Sequence, residues 1–174
     1  MAAKIARAEL AVNGLEDLYR EHSVGMTRLA LMLTGERATA EDVVQDAFLG
    51  LYRRWPRLDD PGSAASYLRT SVINGCRSVH RSRRIAWRRR PPQDSPVWSA
   101  EAAAIDGEDR REVLAAVAGL PQRQREILAL RFYFDMSDGE IAATLKVSRG
   151  TVSSTVSRAL ATLARQLSPH EENR

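Results

Sequence analysis

Seven arginines and no acidic residue lie between positions 77 and 90. Guanidinium groups bind phosphate oxygens, and a cluster this dense is typical of a surface that contacts the nucleic-acid backbone. Upstream of these arginines, Tyr67 and Asn74 offer a ring for stacking and an amide for hydrogen bonds to base edges, a combination used for unpaired bases. A solvated basic helix end is an equally good interpretation of the same residues. The arginines are Arg77, Arg81, Arg83, Arg84, Arg88, Arg89 and Arg90.

A second polar set lies between Ser137 and Leu163, where a short turn, Lys146–Ser148, separates two predicted helices. Ser137 and Glu140 form a capping-box pattern at the start of the first helix, and Ser148 is placed to cap the second. Arginine pairs with guanine edges or phosphates, and threonine methyls contact thymine. The pattern favours a helix-turn-helix that binds DNA, with a plain helical hairpin as the alternative. The residues opposite the apolar stripe of the second helix are Arg149, Thr151, Ser154, Thr155, Arg158 and Thr162.

A third candidate surface lies on the helix predicted in AEDVVQDAFLGLYRRW. Its apolar stripe contains Val44, Phe48, Leu51 and Trp55, and Leu49 lies on the opposite, charged face. An exposed leucine among charges suits a protein interface, although a single exposed leucine commonly has no function. The polar residues that share this face with Leu49 are Asp42, Gln45, Asp46 and Arg53.

Composition excludes several other classes of protein. The chain has 174 residues, a net charge of +4, one cysteine and three scattered histidines. These residues form no disulfide framework or zinc-ligand cluster, and no paired carboxylates, Cys-His arrangement or phosphate loop indicates an enzyme. Cys76 falls on an apolar helix face, where a buried structural thiol is expected. No segment approaches the length of a membrane span, and the N-terminus lacks a signal sequence. We therefore expect a soluble, reduced, cytoplasmic protein without catalytic activity.

The elements that must position these residues are helices. Apolar residues recur at helical spacing from Leu15 to Leu33, and Thr34-Gly35 is expected to end that helix. Thr39 and Asp42 suggest a capping box for the next helix, and a third helix is expected from about Ala64.

The chain is predicted to contain two helical domains. The stretch that follows the third helix contains three prolines, changes from basic to acidic and shows little amphipathic periodicity, so it is interpreted as a flexible linker, with an irregular loop within a single domain as the alternative. A second helical block follows, in which Pro121 marks the first turn of a helix, and the last residues are expected to be disordered. The predicted limits are 1–84 for the first domain, 85–108 for the linker and 109–174 for the second domain.

The segment LPQRQREILALRFYFDMSDGEIAATLKVSRGTVSSTVSRALATL resembles region 4 of the sigma-70 family of bacterial RNA polymerase sigma factors. The leucine-proline start, the EIA of the first helix and the Ser-Arg-Gly-Thr-Val opening of the second helix carry the resemblance. The family usually has Lys and Arg after Gly-Thr-Val, whereas this chain has Ser153 and Thr155. That difference implies weaker phosphate contacts. The −35 contacts implied by the resemblance are Ser148, Arg149, Thr151, Ser154, Thr155 and Arg158.

The first block resembles sigma region 2. EDVVQDAFLGLYRRW is similar to region 2.2, which binds the clamp helices of the polymerase β′ subunit, and implies contacts by Asp42, Gln45, Asp46 and Leu49. SAASYLRTSVINGCRSVHRSRR is similar to regions 2.3 and 2.4, which melt and hold the −10 element. The loop from Leu58 to Ser63 is expected to form a pocket for a flipped base. The −10 contacts implied are Tyr67, Thr70, Asn74, Arg77, Arg81, Arg83 and Arg84.

The order of these regions, without room for regions 1.1 or 3, resembles the extracytoplasmic-function group of the family. The resemblance implies an all-α protein with two small helical domains, a region 2 bundle and a region 4 helix-turn-helix, joined by a flexible linker. It implies a transcription initiation factor whose partners are core RNA polymerase (β′ clamp helices and β flap) and promoter DNA, with an anti-sigma factor as a further partner to test. No cofactor, metal or membrane is expected.

The alternative function is a conventional helix-turn-helix regulator that binds DNA as a dimer, with the first block as a dimerisation or sensor domain. The second basic helix, which also carries an aromatic residue, favours the sigma factor because a dimerisation domain does not need it.

Overall fold

The computed structural model describes the backbone of residues 2–58, 61–89 and 108–167, and the side chains of 14–58, 62–85 and 112–167. Within these ranges the secondary structure is helical and contains no strand. The chain divides into two compact units. The α-helices are α1 (Ala2–Thr34), α2 (Arg37–Arg54) and α3 (Ala64–Arg89) in the first unit, and α4 (Glu108–Gly119), α5 (Gln122–Leu128), α6 (Asp138–Leu145) and α7 (Arg149–Leu167) in the second.

The core of the first unit is formed by the apolar stripes of its three helices. These stripes agree with the helical spacing of the sequence, and Cys76 is fully buried as predicted. Gly75 allows α2 and α3 to approach closely, because a Cβ atom at this position would lie only 2.8 Å from Cγ1 of Val43. The buried residues include Met26, Leu29 and Leu33 of α1, Val44, Phe48 and Leu51 of α2, and Leu68, Val72 and Ile73 of α3.

The helix boundaries in this unit differ from the predictions at three points. Helix α1 begins at Ala2, well before Leu15, although it ends at Thr34 as expected, with Gly35 in the left-handed region at φ 74°. Helix α2 begins at Arg37, so Thr39 lies inside its first turn and the predicted capping box at Thr39 is wrong. Helix α3 continues to Arg89, beyond the predicted start of the linker, and residues 90–107 lie outside the described residues.

Side chains of α3 cap the C-terminal end of α1. His80 donates from Nε2 to the carbonyl of Leu33 at 2.7 Å, and Arg83 donates from Nη1 to the carbonyl of Thr34 at 3.2 Å. The last carbonyls of a helix lack partners within the helix, so these two bonds satisfy groups that otherwise need water. They also fix α3 against α1 at the level of the predicted DNA-binding arginines.

In the second unit, α5 to α7 pack around a core that includes Ile127, Leu130, Ile141 and Val152. Helix α5 continues into a turn of π-helix, Ala129–Tyr133. The predicted capping box is confirmed: the Ser137 hydroxyl accepts from the backbone N–H of Glu140, whose carboxylate accepts from the Ser137 N–H.

A buried ion pair on α5 is linked to the end of α6. Glu126 on α5 is almost fully buried, and its carboxylate accepts from Nη1 of Arg123 at 2.9 Å and from Nε2 of Gln122 at 3.3 Å. The same arginine donates from Nη2 to the carbonyl of Leu145, the last residue of α6, at 3.2 Å. Arg123 therefore neutralises a charge in the core and caps the first helix of the helix-turn-helix.

Candidate nucleic-acid interface

The turn between α6 and α7 has the geometry of a helix-turn-helix. Lys146 adopts a left-handed conformation (φ 55°) that ends α6, and Ser148 precedes α7. The Ser148 hydroxyl accepts from the backbone N–H of Thr151 at 3.1 Å and shares a hydrogen bond with the Thr151 hydroxyl at 2.9 Å. The predicted N-cap is therefore confirmed, and both side chains remain exposed at the start of α7.

Thr155 was predicted to lie on the polar face of α7, but it is buried. Only 5% of this residue is exposed, because it lies three residues after Val152 and four before Ala159, both fully buried. Its hydroxyl donates to the carbonyl of Thr151 at 2.6 Å. Thr155 thus belongs to the core side of α7 and is not placed to contact DNA. Thr162, which is half-buried, likewise donates to its own helix, at the carbonyl of Arg158.

The face of α7 opposite its core is centred on small residues. Gly150, Ser154, Ser157 and Ala161 are exposed and follow one another at helical spacing. The Ser154 and Ser157 hydroxyls donate to carbonyls of their own helix and keep their lone pairs exposed. Ser157 was missed in the sequence analysis. Counting from the buried pair Val152 and Ala159 would have identified this face.

Arg158 borders this face, whereas Arg149, nine positions earlier at the N-terminal end of α7, lies about half a turn around the helix from Arg158. The Arg149 guanidinium lies against Gly139 of α6, where Nη2 would be 3.1 Å from an added Cβ atom. Arg158 donates from Nε to the carbonyl of Ser154 at 3.1 Å. Both arginines are exposed, and α7 contains no acidic residue. The helix thus presents a positive, hydroxyl-lined face of low steric bulk, suited to close approach to a DNA groove.

The predicted −10 residues on α3 lie in different environments. Asn74, Arg81 and Arg84 are exposed. Tyr67, Thr70 and Arg77 are half-buried; the Thr70 hydroxyl donates to the carbonyl of Ser66, and Arg77 donates to the Asn74 side chain at 3.4 Å. Asn74 keeps its amide nitrogen available for a base edge. The predicted base pocket between Leu58 and Ser63 includes Asp59 and Asp60, which lie outside the described residues.

Arg83 is held by hydrogen bonds within the first unit, so the prediction that it is a free phosphate ligand is corrected. Its guanidinium donates to the Thr34 carbonyl at 3.2 Å and to the Thr39 hydroxyl at 3.1 Å, so it joins all three helices of the first unit. The neighbouring Arg84 is exposed. Nothing in the sequence distinguishes Arg83 from Arg84, because the difference depends on where α1 ends and α2 begins.

The contrast between these arginines gives a testable prediction. Arg83→Ala is expected to lower the free energy of unfolding by about 1–3 kcal/mol, because it removes two part-buried hydrogen bonds that join α3 to α1 and α2. Arg84→Ala is expected to change stability by less than about 0.5 kcal/mol. Urea unfolding of the full chain, followed by circular dichroism, measures both effects. Equal stability of the two variants would contradict the structural role of Arg83.

The predicted protein-binding face of α2 is exposed. Asp42, Gln45 and Asp46 are accessible, and Leu49 is 46% exposed. Two aromatic residues missed in the sequence analysis extend its apolar surface. Tyr52 is exposed one turn after Leu49, and Tyr19 of α1 packs edge-on against Phe48 with ring centroids 5.0 Å apart. This combination of acidic and apolar groups suits a protein interface.

The candidate protein-binding face of α2 and the candidate DNA-binding face of α3 meet at a groove between these two helices. It has a volume of about 590 Å³, and its lining includes Asp46 from the acidic face of α2 and Tyr67 from α3. The Tyr67 ring also lies under the guanidinium of Arg54, whose Cζ is 5.8 Å from the ring centroid. Arg54 was not among the predicted contacts.

The described residues contain neither a membrane-spanning helix nor a metal-binding cluster. None of the described helices has the length and apolar character needed to cross a lipid bilayer. Across the same residues, no three His, Cys, Asp or Glu side chains are grouped so as to hold a metal ion.

These features define a two-unit, all-helical protein with a helix-turn-helix in its second unit, as the sequence predicted. Comparison with known families identifies both units. Residues 18–85 match the family model described as Sigma-70 region 2, and residues 110–163 match the one described as Sigma-70, region 4. The chain belongs to the sigma-70 family of RNA polymerase sigma factors.

Individual relatives agree with this assignment. The chain is 32% identical over 157 residues to the RNA polymerase sigma-E factor of Streptomyces avermitilis, covering 87% of this chain and 84% of the relative. It is 31% identical to the ECF RNA polymerase sigma factor SigL of Mycobacterium tuberculosis, covering 86% and 85%. These relatives support a sigma factor of the extracytoplasmic-function (ECF) type and not the alternative of a conventional regulator.

Solved structures support the fold. The sigma factor RpoE of Bartonella quintana, solved in complex with the anti-sigma factor NepR, has a TM-score of 0.75 at 23% identity and is matched over 89% of this chain and 99% of its own. CnrH, solved with the cytosolic domain of CnrY, has a TM-score of 0.64 at 24% identity, covering 93% and 95%.

Proposed function

We propose that this sigma factor binds core RNA polymerase through the exposed face of α2, holds the −10 element with α3 and reads the −35 element with α7. The observation that carries the proposal is the occurrence of region 2 and region 4 in order, each presenting an exposed face of the expected chemistry. The proposed domain limits stay near 1–84 and 109–174. The protein supplies recognition and no catalysis, and it acts in the bacterial cytoplasm, where polymerase and promoters are found.

The direct test is transcription with purified components. The chain is expected to co-elute with core RNA polymerase in gel filtration and to direct run-off transcription from a discrete set of start sites in genomic DNA. Mapping those start sites identifies the promoter sequences. A chain that elutes apart from the core enzyme, or that leaves transcription unchanged, would contradict the proposal and favour a conventional regulator.

An anti-sigma factor is the second partner that we propose. This proposal rests on the two similar solved structures, RpoE and CnrH, each of which was solved with a protein bound. The exposed acidic and apolar face of α2 is the candidate binding surface, since a partner bound there would compete with polymerase. Affinity capture from the source cell with the intact chain, followed by competition of the captured protein against core enzyme, tests the proposal. A captured protein that binds without displacing the core enzyme would contradict it.

The arginines of α7 give a prediction about −35 recognition. Arg149→Ala and Arg158→Ala are each expected to reduce promoter-specific transcription, at a cost of about 1–3 kcal/mol if the guanidinium reaches a base edge. Arg165→Ala is the matched control for Arg158→Ala, because the two arginines are seven positions apart on the same side of α7 and Arg165 lies further from the helix N-terminus, where base contacts concentrate. Run-off transcription from cognate and −35-scrambled templates measures the effect. Losses equal to that of Arg165→Ala would contradict the assignment of α7 as the reader.

A further inference from the structure

Tyr67 is positioned by two residues of α2. Its hydroxyl oxygen would lie 3.5 Å from a Cβ atom added to Gly50, and its ring lies under the guanidinium of Arg54, with Cζ 5.8 Å from the ring centroid. Residues 50 and 54 are four apart and share one side of α2. The small residue leaves room for the hydroxyl end of the tyrosine, and the arginine covers its ring. The position of the ring therefore depends on the C-terminal turn of α2 as well as on α3.

The stacked arginine retains its capacity to bind an anion. A guanidinium within about 6 Å of a ring centroid is attracted by the ring, while its in-plane N–H groups still point outward. Arg54 is exposed, and no carboxylate within the described part of the chain forms an ion pair with it. Planar stacking and phosphate donation are the two interactions that proteins use for unpaired nucleotides.

The location of Arg54 supplies a charge where α3 itself lacks one. Arg77 lies about 15 Å along the helix axis from Tyr67, at 1.5 Å per residue. Arg69 is closer in sequence but lies two positions from Tyr67, and residues so spaced do not share a helix face. A phosphate next to a base stacked at Tyr67 therefore needs a cation from another element. Arg54 is in contact with that ring.

We infer that Arg54 is a further DNA-contacting residue, which together with Tyr67 holds one unpaired nucleotide of the opened promoter at the N-terminal end of α3. The base stacks on the cation–aromatic pair, and the guanidinium N–H groups donate to the adjoining phosphate. This inference rests on the proposed function, because it assumes that α3 holds the melted −10 strand.

The test measures affinity of the polymerase complex for a labelled single-stranded oligonucleotide from a mapped −10 region, over a series of salt concentrations. Arg54→Gln is expected to weaken binding about fivefold to thirtyfold and to reduce the log–log salt slope by about 0.7. Arg54→Lys is expected to keep the slope and lose part of the affinity, because lysine keeps the charge but not the planar stacking group. Arg54→Gln combined with Tyr67→Leu is expected to lose less than the sum of the two single changes, because the two side chains act together.

Arg28→Gln is the matched control. It removes an exposed arginine of the same unit from α1, on the side away from the buried residues of that helix and outside the proposed polymerase and DNA contacts. Its affinity for the oligonucleotide is expected to equal that of the wild type. Equal affinities of the Arg54→Gln and Arg28→Gln complexes would overturn the inference, as would a loss of core binding by Arg54→Gln. If the wild-type chain directs no transcription with core enzyme, the proposed function fails instead, whatever the variants do.

Discussion

Arg123→Met is expected to lower the free energy of unfolding of the second unit by about 3 kcal/mol. The Glu126 side chain is 2% exposed, and its carboxylate lies 2.9 Å from the guanidinium of Arg123. The change leaves a buried negative charge without that cation and also removes a donor from the Leu145 carbonyl. Methionine keeps much of the side-chain volume, so the loss reports the missing charge and hydrogen bonds. Native-state hydrogen exchange of α5 and α7 amides in the full chain measures the local stability.

Arg131→Met is the control for this experiment. Arg131 also forms an ion pair, with Asp138 at 2.8 Å, but the side chains are 38% and 32% exposed. Water replaces much of what such a pair loses, so a cost below about 1 kcal/mol is expected. If the Arg123→Met and Arg131→Met variants lose similar amounts of stability, the burial of Glu126 does not increase the contribution of its ion pair.

The second large effect concerns polymerase binding. A variant carrying Asp46→Arg and Leu49→Glu is expected to bind core RNA polymerase at least about a hundredfold more weakly, because it reverses one charge and places another in an apolar contact. Both residues are exposed on α2, so the fold is expected to remain intact. Fluorescence anisotropy of the labelled chain, titrated with core enzyme, gives the affinity.

The matched control makes the same two kinds of change on α1. Asp17→Arg and Val24→Glu alter an exposed acid and an exposed apolar residue on the side of α1 away from its buried residues. Core binding by this control is expected to stay within about twofold of the wild type. If both double variants bind core enzyme as the wild type does, the assignment of the polymerase-binding face to α2 is wrong.

Helical spacing was enough to predict the architecture, because each apolar stripe had to be buried against another. The stripes of α1, α2 and α3 were found in the sequence and are buried in the structure. The boundaries were harder to predict, as Thr39 shows. Its hydroxyl fits a cap in the sequence, whereas in the structure it accepts from Arg83, a residue 44 positions away. A contact at that sequence distance depends on packing, which local propensity does not include.

The site was predictable to the level of a helix face but less well at single residues. Thr155 was assigned to the exposed side of α7 because it is polar, and the structure buries it with its hydroxyl bonded to the backbone. Ser157 has the same kind of hydroxyl and is exposed. Arg54 was missed because its significance depends on Tyr67, a neighbour in space on another helix. Tyr52 follows Leu49 by three residues on the same helix, a spacing that could have been recognised in the sequence.

The hydrogen bonds from His80 and Arg83 to the C-terminal end of α1 affect the thermodynamics of binding a separated DNA strand. Because these bonds attach α3 to α1, the helix that we propose to hold the −10 strand is already ordered before DNA binds. Ordering entropy is then lost mainly by the nucleotides, and the protein contributes little of the heat-capacity change that accompanies coupled folding. In the proposed function α3 is thus a preordered template for the separated strand, and the readiness of the promoter bases to unstack adds to the discrimination made by contacts to base edges.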